Sequence, residues 1–168
     1  MGNGRYIRVR WNIAPETISL VILGIIWVYS RKGSHLPSLK NRMFQECLTV
    51  TFAAMLSNIL STFMLSGYIL VPGWVTWAIT TIYFILTPLM GMVYYLYAVS
   101  VIYEERPQLN RMILLGGIPG AVYTLLVLSN FFTKCLFDIT ANQGYEQGSL
   151  IFITYLIFYA YCVCCIVI

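Results

Sequence analysis

Long apolar runs, each without an ionisable residue near its middle, dominate this chain. They cover about 13–30, 46–68, 74–103, 112–132 and 149–168. A helix needs roughly 20 apolar residues to cross the hydrocarbon core of a bilayer, so each run has about the length of a span. Water-facing surface needs charge, and lipid-facing surface excludes it. Here 10% of the residues are charged and 60% are hydrophobic, whereas soluble domains run near roughly 25% and 45–50%. The expected fold is all-α: one membrane domain, a polytopic transmembrane helix bundle of about five spans, with the lipid bilayer as its main partner.

The ten Lys and Arg residues fall between the runs. Arg31, Lys32, Lys40, Arg42, Arg106 and Arg111 occupy two connecting segments, 31–42 and 104–111, and Lys134 alone occupies the alternate side. Arg5, Arg8 and Arg10 in the tail oppose that bias. The positive-inside rule then predicts N-out and C-in. The run after Trp11 has no small-residue cleavage site and ends on Arg31 and Lys32, so it reads as a retained first span. Tyr6 stands where a myristoylation motif wants Ser or Thr. The last run reaches Ile168 without a basic stop, which suggests a piece truncated at its C-terminus.

Several residues break the helical pattern. Gly33 and Pro37 interrupt segment 31–42, and Pro72 and Gly73 mark a short turn. Pro88 lies inside the third run, where the missing N–H predicts a kink near Thr87. Segment 133–148 is the longest polar stretch and reads as a loop. His35 is the only histidine, and a lone loop histidine is ordinarily solvated. Cys162, Cys164 and Cys165 lack a second Cys or His group at zinc spacing; they read as small apolar filler, with lipid attachment or redox sensing as alternatives.

The spans carry polar residues of two kinds. Ala53, Ser57 and Ser61 recur every four positions, as does Gly116-x-x-x-Gly120, which suits close helix packing. Asn58 and Thr62 flank the first stripe. The third run holds Thr76, Thr80, Tyr83, Thr87, Tyr94, Tyr95 and Tyr97. Tyr155 and Tyr159 share a face of the fifth at i and i+4. Asn58, Tyr83, Thr87, Tyr155 and Tyr159 are the candidate ligand-binding residues, lining a pocket for a small aromatic or amphipathic molecule. The same tyrosines could equally be buried and satisfied by their neighbours. No protease, nucleophile-elbow or phosphate-loop motif occurs, so no catalytic residue is named. No cofactor and no metal is expected, and no basic–aromatic patch suggests nucleic acid.

Four stretches carry a family resemblance: Leu36 to Phe44, Trp77 to Pro88, the Tyr-rich half-run to Tyr103, and Phe137 to Gly148. Their order resembles the multi-span membrane input region at the N-terminus of bacterial GGDEF-type diguanylate cyclases and some sensor histidine kinases. Such regions usually have seven spans before a cytoplasmic output domain; this chain shows five runs and no GGDEF or kinase motif. The resemblance implies a sensory, signal-input region in the bacterial inner membrane. A small-molecule signal or a second copy of the chain would be its partner, and a diguanylate cyclase activity would belong to an output domain outside these residues. A transporter of a small neutral solute and an accessory membrane subunit are the alternatives.

Overall fold

The structure is a computed structural model that describes residues 14–33, 39–69, 71–103, 106–139 and 145–168. Arg5, Arg8, Arg10, Trp11, His35, Pro37, Glu104 and Glu105 lie outside the described residues. The elements are α1 (Ala14–Gly33), α2 (Leu39–Leu65), α3 (Gly73–Ile102), α4 (Arg106–Thr133), β1 (Phe137–Ile139), β2 (Tyr145–Gln147) and α5 (Phe152–Val167). Three helices are long and apolar enough to cross a membrane, over Lys40–Leu65, Gly73–Ile102 and Asn110–Thr133. Helix α5 is apolar but has 16 residues. Helix α1 has 20 and spends three on Glu16, Arg31 and Lys32.

Helix α3 matches the third apolar run almost residue for residue. Helices α2 and α4 begin before their apolar runs do. Helix α4 starts at Arg106, and the first turn of α2 takes in Lys40 and Arg42, whose long side chains can reach water beyond the apolar stretch. Pro107 is tolerated there because the N–H it lacks has no partner in a first turn. Pro88 lies buried in α3, and the helix runs on through it to Ile102.

Side-chain contacts fix the packing order. Ser30 with Gln45, and Trp27 with Thr49, align α1 antiparallel to α2. Phe44 against Tyr97, Cys47 Sγ on Val93 O and Ser61 against Thr80 align α2 antiparallel to α3. Helix α5 packs mainly on α3 and touches α4 lightly. The basic residues Arg31, Lys32, Lys40, Arg42 and Arg111 therefore gather at one end of the molecule, and Lys134 sits at the other. Of the stripe Ala53, Ser57 and Ser61, the two serines are buried and Ala53 is half-buried; Ser61 meets Thr80 of α3 at 2.9 Å. Many large apolar side chains of α1, α4 and α5 are exposed, among them Ile22, Ile25, Leu114, Val122, Leu125 and Leu156. Such exposure suits lipid and not water.

Two helix ends are closed by the backbone. Gly67 adopts φ 74° after α2. Tyr68 N–H then reaches Phe63 O and Gly67 N–H reaches Met64 O, both at 3.1 Å, and the rings of Phe63 and Tyr68 meet edge-on. This is a Schellman motif with its apolar clasp. At the end of α4 the left-handed position is Lys134, φ 51°, whose N–H returns to Asn130 O at 2.9 Å.

The polar stretch 133–148 holds two short strands, β1 and β2. Its two strands pair antiparallel, with Phe137 opposite Gln147, Asp138 opposite Glu146 and Ile139 opposite Tyr145. Lys134 donates to Asp138 at 2.8 Å, which holds that carboxyl below its ordinary pKa.

Candidate functional site

The hairpin is anchored by one amide. Asn130, on the last turn of α4, is 1% exposed. Its Nδ2 donates to Phe137 O at 3.0 Å, and its Oδ1 accepts from Leu136 N–H at 2.8 Å. That clamp turns Leu136 and Phe137 down into the bundle, where neither is exposed to solvent. Phe137 stacks on Phe84 of α3 at 4.9 Å and 9°, with Trp77 and Tyr145 on its flanks. Tyr123 and Val127 of α4 complete the cluster.

A layer of hydroxyls lies directly beneath this plug. Tyr123 and Thr154 share a buried hydrogen bond of 2.6 Å between α4 and α5. The hydroxyls of Tyr83, Tyr145 and Tyr155 lie within electrostatic reach of one another. Burial first, then Tyr155 and Tyr83, push the Tyr145 phenol from 10.0 up to about 12. A raised folded-state pKa means that docking of the hairpin is unaffected below pH 10. Above it the free segment ionises before the docked one, so docking weakens as pH rises toward 12. A spectrophotometric tyrosinate titration of wild type minus Tyr145→Phe should therefore show one phenol titrating near 12. A difference curve centred on the ordinary value would mean that Tyr145 is not held in this layer.

Of the residues singled out in the sequence, Tyr83, Thr87 and Tyr155 fall in this layer. The α2–α3 register set by Ser61 and Thr80 puts Asn58 at the depth of Tyr83. Asn58 is half-buried on α2 and makes no side-chain hydrogen bond among the described residues. Thr87 Oγ1 donates back to Tyr83 O at 2.9 Å, so its hydroxyl is used within its own helix. Thr51, Thr81 and Thr124 do the same, the back-bond by which a helical hydroxyl finds an acceptor. Tyr155 and Tyr159 share a face, as the spacing predicts. That face is outward, with 52% and 63% of each residue exposed. Tyr83 and Tyr155 approach each other, and Tyr159 lies one turn further along α5.

Deeper along α5, Tyr161 makes the other link to α4. Its hydroxyl accepts from Gly120 N–H at 2.9 Å and donates to Gly116 O at 2.6 Å. An unbroken helix joins that same N–H and carbonyl directly. Pro119 has no N–H for Leu115 O, so the neighbouring rung is missing. The Gly116-x-x-x-Gly120 pair makes room for this arrangement. A Cβ at Gly116 would lie 2.1 Å from the Tyr95 ring, and one at Gly120 would lie 2.8 Å from Met92 Sδ. The motif therefore receives side chains from α3 and α5 and does not serve backbone-to-backbone helix approach.

Tyr123, Asn130, Thr154 and Tyr161 escape sequence reasoning, because each acts through a partner on another element. Among the described residues no group of three or more His, Cys, Asp or Glu could hold a metal. No family model, curated protein or solved structure matches the chain.

Proposed function

We propose that this chain is a membrane-embedded signal-input region of a bacterial signalling protein. In this reading all five helices cross the inner membrane, N-out and C-in, with the basic end in the cytoplasm. An external or membrane-borne small molecule acts near the hairpin and the hydroxyl layer. Helix α5 carries the change to a cytoplasmic output domain of the diguanylate-cyclase type. A ligand shifts such a bundle only by binding one helix arrangement better than another.

The observation that supports this best is the attachment of α5 to α4. The two helices pack lightly and are tied by hydroxyls at two depths, Tyr123 with Thr154 and Tyr161 with Gly116 and Gly120. Hydrogen bonds between membrane helices are worth about 0.6 kcal/mol on average and rarely reach 2. Ties of that strength can be exchanged by a modest ligand without unfolding the bundle. The lower tie also sits where α4 lacks a rung at Pro119.

The test places the chain in a membrane ahead of a diguanylate cyclase output domain and reads cyclic di-GMP. Tyr161→Phe removes the hydroxyl and with it both of its hydrogen bonds to α4. Its effect on stability should be under about 2 kcal/mol, while output should shift about fivefold or more, the lower range for coupled sites. Unchanged output from a folded Tyr161→Phe protein, together with solute uptake by vesicles containing the wild type, would replace this reading with a small-solute transporter.

A further inference from the structure

At the basic end, α3 and α4 diverge around a cleft of about 420 Å³ lined by Tyr103, Gln108, Arg111, Met112 and Leu115. Two of its lining residues, Tyr103 and Met112, also pack against the buried cluster of Tyr95, Val99 and Tyr161. The lining divides by chemistry. Arg111, Gln108 and the Tyr103 hydroxyl offer donors at the mouth. Met112 and Leu115 form an apolar wall that continues into the exposed stripe Leu114, Leu115, Ile118 and Val122 along α4.

Arg111 is exposed and makes no ion pair or hydrogen bond among the described residues. By contrast, Arg42 at the same end is paired with Glu46 at 3.2 Å. A guanidinium at the end of a span, next to a polar pocket and an apolar runway, matches a molecule with a phosphate at one end and acyl chains at the other. Basic clefts between membrane helices on the cytoplasmic side bind such headgroups.

We propose that this cleft is a binding site for one anionic phospholipid of the adjoining leaflet. The phosphodiester sits on Arg111 and Gln108 with Tyr103 as a further donor, and an acyl chain follows Leu115, Ile118 and Val122 along α4. The site requires that α3 and α4 cross a bilayer. It does not depend on a sensory role, so it stands or falls separately from the signalling reading. Because the cleft shares the Tyr95–Tyr161 cluster with the α4–α5 tie, its occupancy bears on the same helix pair.

The test is native mass spectrometry of the full chain released from mild detergent, with phosphatidylglycerol or phosphatidylcholine added at equal concentration. Wild type should retain one phosphatidylglycerol in preference to phosphatidylcholine. Arg111→Gln should lower that retention about five- to tenfold, the effect of one basic contact with an anionic headgroup. Lys32→Gln, at the same end but outside the cleft, should leave retention nearly unchanged. Equal retention of the two lipids overturns the site. So does an equal loss in Lys32→Gln, which would mean diffuse surface charge. Displacement by free glycerol phosphate at matched concentration overturns it too, since the cleft would then hold the anion without the lipid. Arg111→Lys retains the charge without the fork and should fall between wild type and Arg111→Gln.

Discussion

Hydrogen exchange at the Leu136 amide is expected to accelerate more than about a hundredfold when Phe137 is replaced by alanine. Phe137 is wholly buried, stacked on Phe84 and flanked by Trp77 and Tyr145. Truncating a buried phenylalanine to alanine costs about 3–5 kcal/mol. Every 1.4 kcal/mol is about tenfold in the population of an opened segment, the quantity that local exchange reports. Within lipid, apolar burial does not drive helices together, because lipid tails are as apolar as leucine. The hairpin lies beyond the end of α4 and carries Lys134, Asp138 and Glu146. Its alternative surroundings are water and headgroups, so the hydrophobic term applies there in full. Phe137→Leu retains most of the volume and should cost under about 1.5 kcal/mol. If Phe137→Ala left Leu136 protected, the Asn130 clamp alone would be holding the strand.

The architecture was legible where one residue type decides it. The run 74–103 and helix α3 (Gly73–Ile102) coincide because apolar length is the whole signal for a helix in lipid. The end of α2 was not legible: the run 46–68 passes over Gly67, whose left-handed backbone stops the helix at Leu65. The hairpin was not legible. Strands of three residues are too short for alternation to register, and Asp138 and Glu146 give both strands a loop-like composition. What pairs them is tertiary: Asn130 seizes two backbone groups while Phe137 finds a stack on another helix. The candidate site divides in the same way. Polarity within spans led to Tyr83, Thr87 and Tyr155, which share one layer. It could not reveal that Thr87 is satisfied by its own helix, or that Tyr155 faces outward. Nor could it show that the pair Gly116 and Gly120 makes room for side chains of α3 and α5. Tyr161 carries no local signal, since its role is set by a carbonyl and an N–H on a helix 41 to 45 positions away in sequence.

Gly148→Ala should undock the same hairpin without removing one apolar atom. Gly148 lies outside the left-handed region, so the demand is for space and not for an unusual backbone. An added Cβ would fall 2.0 Å from Cys135 O and 2.3 Å from Cys135 C. Those are main-chain atoms, and no rotamer change relieves them. The Cys135–Leu136 peptide must move, and with it two hydrogen bonds: Gly148 N–H to Leu136 O at 2.9 Å and Leu150 N–H to Cys135 O at 3.0 Å. Overpacking costs about 1–3 kcal/mol, and each lost bond adds about 0.5–1.5, which together approach the cost of deleting Phe137. Because Leu136 and Phe137 remain, the variant separates two accounts of the docking. If stacking of Phe137 carries it, the strand can shift and keep its ring on Phe84, and exchange at Leu136 will rise much less than in Phe137→Ala. If the Asn130 clamp and the Gly148 contact fix one geometry for ring and backbone together, the two variants will exchange alike. The second outcome is expected, since Asn130 grips Leu136 and Phe137 through the very backbone that the new methyl displaces.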